Sequence, residues 1–125
     1  MPTRKHKYLV AISAQLMKNM GYRVEQEKIM IKGVQPDLTC YHKTLDNCTI
    51  EFQSNSLPKP DKKLRGYFMV TIDLKVYDIN KSLNQIVTDL HDDITAQLDY
   101  FKEQVSKERL EFRKAKDREY KRGCK

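Results

Sequence analysis

Two short segments carry side chains able to hold a metal ion and cut a phosphodiester: Pro36-Asp37 and Glu51-Phe52-Gln53. Asp37 opens an alternating stretch, Asp37-Leu38-Thr39-Cys40-Tyr41, that reads as a strand. Leu45-Asp46-Asn47 is turn chemistry, and Cys48 to Gln53 reads as the returning strand of a hairpin. Side chains two apart on a strand share a face, so Glu51 and Gln53 point together. With Asp37 on that face, two carboxylates and an amide oxygen converge. These are the hard oxygen donors that Mg²⁺ (or Mn²⁺) takes while keeping several waters. An ion held there polarises a phosphate oxygen and lowers the pKa of an attacking water. The expected catalytic residues are Asp37, Glu51 and Gln53, with Asp37 and Glu51 as the metal ligands.

The elements that must position these groups are legible around them. From Lys5 to Met20 apolar residues recur at Leu9, Ile12, Leu16 and Met20, widened by Val10, Ala11, Ala14 and Met17, and Gly21 is a natural helix stop. Tyr22-Arg23-Val24 begins extended structure, Ile29-Met30-Ile31 follows, and Gly33 marks a turn. Residues 54–65 are polar and broken by Pro58 and Pro60; Asp61 is placed to cap a short helix running through Leu64 to Phe68. Met69 to Val76 alternates and reads as a half-buried strand. A rival Pro60-Asp61 and Asp73-Leu74-Lys75 pairing ranks second, because lysines rather than a strand follow Asp61.

In this order, helix, Gly21-Tyr22-x-Val24, a strand passing Glu25 and Glu27, Pro36-Asp37-Leu38, a turn and Ile50-Glu51-Phe52-Gln53, the chain resembles the core of the PD-(D/E)xK nuclease superfamily. Ile50-Glu51-Phe52-Gln53-Ser54 is similar to the E-x-Q variant found in some restriction enzymes and competence-associated nuclease-like proteins. The resemblance covers roughly residues 5 to 76. It implies a restriction-endonuclease-like α+β (α/β) fold: an N-terminal helix, a central mixed four-stranded sheet and flanking helices, with Asp37 and Glu51 as metal ligands. Gln53 stands where the family usually carries its catalytic lysine, which leaves the missing positive charge to Lys59, Lys62 or Lys63. The family's helix before the last core strand is very short here. Its usual acidic residue in the first helix is absent, and His6 is the candidate substitute.

Between Ser82 and Arg122 there is neither Gly nor Pro. Leu83, Val87, Leu90, Ile94, Leu98, Phe101, Val105 and Phe112 mark a long amphipathic helix, or two with a bend. Such a helix either folds across the sheet or pairs with a second copy, so a homodimer through it is expected as an alternative. Its start is acidic (Asp89, Asp92, Asp93, Asp99). Its end is basic, with Arg113, Lys114, Lys116, Arg118, Lys121 and Arg122 able to contact phosphates, or to sit in a solvated face with Glu111, Asp117 and Glu119. Residues 1–80 thus read as the nuclease-like core and 81–125 as a helical extension of one domain.

The chain of 125 residues suffices for a single core. Its formal net charge of +7 favours polyanionic partners, nucleic acid before a membrane surface and DNA before RNA. No run approaches a membrane span and no secretion signal is visible, so an intracellular protein, cytoplasmic or nucleoid-associated, is expected. Cys40, Cys48 and Cys124 form no CxxC pair, and with His6, His42 and His91 show no zinc-ligand spacing; free thiols are expected. Three function classes follow: a Mg²⁺-dependent endonuclease, a non-catalytic nucleic-acid-binding module, and a dimerising adaptor.

Overall fold

The computed structural model describes residues 3–26, 36–53 and 67–123, with side chains in the last stretch as far as residue 116. Helix α1 spans Arg4–Asn19. Thr3 caps it, its hydroxyl accepting from the His6 N–H at 3.1 Å. At the other end the Gly21 N–H reaches the Lys18 carbonyl and the Tyr22 N–H reaches that of Met17, each at 3.0 Å. This paired closure needs a left-handed residue, and Gly21 supplies it at φ +92°. The face α1 buries is Leu9, Ser13, Ala14 and Met17, while Ile12, Leu16 and Met20 are half-buried. The stripe is therefore rotated from the one the apolar residues alone suggest: it takes in Ser13 and leaves Ile12, Leu16 and Met20 at its margin.

Four strands follow: β1 (Arg23–Gln26), β2 (Leu38–Tyr41), β3 (Asn47–Gln53) and β4 (Tyr67–Asp73). They lie side by side in the order β1-β2-β3-β4. The first two pairings are antiparallel, and β3 and β4 are parallel. The sheet is thus mixed, and β2–β3 is the expected hairpin. A parallel pair needs a crossover of about a dozen residues or more, which segment 54–66 is long enough to supply. Segment 54–66 and the expected Ile29-Met30-Ile31 strand lie outside the described residues.

The fourth strand differs from expectation at both ends. It begins at Tyr67, so Phe68, expected at the end of a short helix, is a buried strand residue. It ends at Asp73 rather than Val76. There the Asp73 carboxylate accepts from the Lys75 N–H at 2.9 Å and starts a 3₁₀ turn over Leu74–Val76, leaving Val76 73% exposed. The rival Asp73-Leu74-Lys75 motif therefore straddles a strand end, and Lys75 is exposed.

Helix α2 is one continuous element, Leu83–Gly123, of 41 residues. The Ser82 hydroxyl caps it by accepting from the Gln85 N–H. Ile86, Leu90, Ile94, Leu98 and Phe101 are buried, whereas Leu110 and Phe112 are exposed. Alternation along the strands defines two sheet faces. One carries Leu38, Cys40, Cys48, Ile50, Phe52, Phe68, Val70 and Ile72, which form one core with both helices. The other carries Arg23, Glu25, Thr39, Tyr41, Asn47, Thr49, Glu51, Gln53, Tyr67, Met69, Thr71 and Asp73, in cross-strand rows fixed by the register. Cys40 and Cys48 are direct cross-strand partners, buried as free thiols. The hydrogen bond from Cys40, together with burial, pushes the Cys48 thiol up and keeps it protonated.

Candidate active site

Leu38 pairs with Ile50, so one step further Asp37 falls opposite Glu51. Asp37 sits in a bend just before β2 and does not continue the backbone ladder. Its side chain does so instead: Oδ2 accepts from the Phe52 N–H at 2.8 Å, taking the place a strand carbonyl would occupy. The carboxylate is thereby fixed against β3 at the residue between Glu51 and Gln53. Its other oxygen, Oδ1, lies 3.2 Å from Nε2 of His6, and the two side chains are only 15% and 16% exposed. The His6 ring meets Phe52 edge-on, with centroids 5.8 Å apart.

Each contact has a local cause. The Thr3 cap fixes the first turn of α1, and His6 is the third helical residue, on the side that packs over the end of β3. A carboxylate oxygen only accepts, so Nε2 is the ring nitrogen that carries a proton toward Asp37. Glu51 and Gln53 alternate with buried Phe52 and stand, half-buried, on the face opposite the two described helices. His6 and Asp37 therefore meet at the end of the sheet on the helix side, and Glu51 and Gln53 share the opposite face.

No protein-family model, curated protein or solved structure matches the chain. The geometry alone carries the reading of the site.

Among the described residues, no group of three or more His, Cys, Asp and Glu side chains is placed to hold a metal. His6, Asp37 and Glu51 do not form such a triad. The convergence of Asp37, Glu51 and Gln53 on one face is therefore not what the structure shows: Asp37 turns to His6 on the helix side, and Glu51 and Gln53 point to the other face. Mg²⁺ needs only one or two protein carboxylates beside water and substrate phosphates, so an ion here would have to be met by Asp37 and Glu51 at the sheet end, without a preformed three-oxygen cluster. Lys59, Lys62 and Lys63 lie outside the described residues. Arg113, Lys114 and Lys116 are exposed on α2; Arg118, Lys121 and Arg122 belong to its last turns, with side chains outside the description.

The basic end of α2 is not at the Asp37 end of the sheet. Gln97 bonds Thr71, and Phe101 stacks on Phe68 at 5.4 Å, so α2 runs antiparallel to β4. It leaves the body beyond Tyr67, at the far end of the sheet from Asp37, Gln53 and Asp73. Two features escaped the sequence reading. Gln97, a polar residue inside the apolar stripe of α2, signals a polar contact beneath it. Arg23, Tyr41 and Tyr67 share a face only through strand pairing, which no local pattern states.

Proposed function

We propose that the chain is a metal-dependent endonuclease hydrolysing phosphodiester bonds of nucleic acid, DNA before RNA, with Asp37 and Glu51 as ligands of Mg²⁺ or Mn²⁺. The observation that supports this most is the Asp37 carboxylate anchored to β3 at Phe52, between Glu51 and Gln53, at the end of a mixed sheet. When bound, the ion would polarise the scissile phosphate and acidify an attacking water. The Phe52 N–H orients Asp37 without using up its acceptor capacity, since each carboxylate oxygen has a second lone pair. His6 lies against Asp37 at the same end of the sheet and helps to orient its carboxylate. Gln53 positions substrate or supplies a third oxygen, and Lys59, Lys62 and Lys63 follow closely enough in sequence to meet phosphate charge. Cutting both strands of a duplex needs two such sites, which a homodimer through α2 would provide. On this reading the protein works inside the cell, in the cytoplasm or at the nucleoid.

A second reading is a nucleic-acid-binding module without catalysis. It is favoured by both oxygens of Asp37 already having partners and by the lack of a three-residue metal cluster among the described residues. Plasmid DNA incubated with Mg²⁺ separates the two. Nicking or linearisation that disappears in Asp37→Ala and Glu51→Ala is expected for the enzyme. Salt-sensitive binding with intact plasmid would establish the module instead.

A further inference from the structure

The sheet face opposite the two described helices has a second cluster at the end away from Asp37. Arg23 and Tyr41 are register partners, and the guanidinium carbon lies 4.6 Å from the Tyr41 ring centroid. Tyr41 in turn meets Tyr67 edge-on at 6.2 Å, across the row Tyr41, Asn47, Tyr67. Beside them is a cavity of about 480 Å³ lined by Gly21, Arg23, Tyr41, His42, Lys43 and Thr44. Its floor is rigid: Nδ1 of His42 accepts from the backbone N–H groups of Thr44 and Leu45 at 3.1 Å each, while Asn47 takes the His42 N–H at 3.0 Å. Gly21 borders the imidazole so closely that a Cβ there would lie 3.2 Å from Nε2. Among the described residues the carboxylate bonded to Arg23 is that of Glu25, at 3.2 Å through a single guanidinium nitrogen, and the arginine side chain stays 69% exposed. Among the described residues this contact engages one of the five N–H donors of the guanidinium.

A cavity of this size, walled by a stacked Arg–Tyr pair and a lysine, fits a planar base with an attached phosphate. The geometry points to a binding site for one unpaired nucleotide of a nucleic-acid strand, its base stacked on the Arg23–Tyr41 pair and its phosphate met by Arg23 and Lys43. This rests on the nucleic-acid reading above and names the form of substrate: a strand with at least one base out of the duplex, since a base within a stack has no free face to offer. Tyr41 and Asp37 lie at opposite ends of β2, about 13 Å apart at the rise of a strand. A strand held at Tyr41 therefore reaches the Asp37 end within about four base steps of B-form spacing. The basic end of α2 emerges at this same end of the sheet, so both cationic features face one polyanion.

The test uses a fluorescein-labelled oligothymidylate, titrated with the full chain by anisotropy in EDTA, so that no cleavage intervenes. Saturable binding is expected, tighter than to a blunt duplex of the same length. Arg23→Gln and Tyr41→Leu should each weaken it about tenfold or more, the usual effect of removing a stacking partner, while Gln15→Ala, at an exposed position of α1, leaves it unchanged. Arg23→Lys, which keeps the charge but not the plane, should lose most of the same affinity. Because Arg23 is exposed, its variants keep the fold, which circular dichroism verifies, and they decide the matter should Tyr41→Leu unfold. Unchanged affinity in the Arg23 variants, or no saturable binding by the wild type, overturns the site even if plasmid cleavage is found. Binding that depends on Arg23 without any cleavage overturns the enzyme and leaves the site standing.

Discussion

Asp37 has two partners, and they separate its structural contribution from its chemical one. The Phe52 N–H belongs to a residue that is 6% exposed, so removing its acceptor strands a buried donor. Such a loss costs about 1–3 kcal/mol, and Asp37→Ala should lower stability by that amount in urea unfolding. Asp37→Asn keeps an acceptor for Phe52 and should stay within about 1 kcal/mol of wild type. The amide has no negative charge to offer a divalent ion, so Asp37→Asn is expected to retain the fold and lose Mg²⁺-dependent cleavage. Cleavage at the wild-type rate by Asp37→Asn would remove this carboxylate from the chemistry.

At the scale of elements, β4 is the outermost described strand, and a side chain of α2 takes up the backbone groups of its residue Thr71. Gln97 donates to the Thr71 carbonyl at 2.8 Å and accepts from the Thr71 N–H at 3.0 Å, while its amide also reaches Asp93 at 2.8 Å. Asp93 in turn accepts from the Tyr77 hydroxyl at 2.8 Å; burial and this carboxylate push the Tyr77 pKa up. One amide thus ties α2, β4 and the turn after β4 together. Gln97→Leu should cost about 2–3 kcal/mol for two unpaired backbone groups and speed amide exchange at Thr71. It should also promote concentration-dependent association through the uncovered edge, measurable by light scattering. Exchange at Thr71 as slow as in wild type would show that the clamp is dispensable.

The same elements show what the sequence could and could not disclose. Helix α1, the hairpin and α2 were legible because their periodicities and stops are local: the apolar spacing from Leu9 to Met20, Gly21, Leu45-Asp46-Asn47 and an uninterrupted stretch after Ser82. The end of β4 was not. Leu74 and Val76 prolong the alternation, but the Asp73 side chain captures the Lys75 N–H and turns the chain first. Direction of pairing is equally silent in an alternating pattern, so the parallel β3–β4 pair emerges only from the structure. His6 is a candidate only through the family resemblance, since it stands in a Lys/Arg run; its place against Asp37 and Phe52 is set only in the folded chain. Glu51 and Gln53 share a face as their spacing requires, yet the bend at Asp37, outside the ladder, is a tertiary outcome.

Across the whole molecule the charge is distributed lengthwise. The net charge is +7, and α2 runs from an acidic start beside β4 to a basic end. Val105 is the last residue of α2 to pack on the core, and every described side chain from Ser106 to Lys116 is exposed. These residues add little to the stability of the body, so charge removal there isolates binding from folding. The full chain carrying Arg113→Gln, Lys114→Gln and Lys116→Gln should unfold within about 0.5 kcal/mol of wild type. Its affinity for duplex DNA should fall evenly across sequences, because phosphate contacts position a strand without reading it. The slope of log K against log salt should shrink by roughly 0.9 for each phosphate that is no longer neutralised. A lower affinity with an unchanged slope would mean that no counterions are released at these residues. The end of α2 would then be a solvated face balanced by Glu111, Asp117 and Glu119, and the polyanion would be held at the sheet alone.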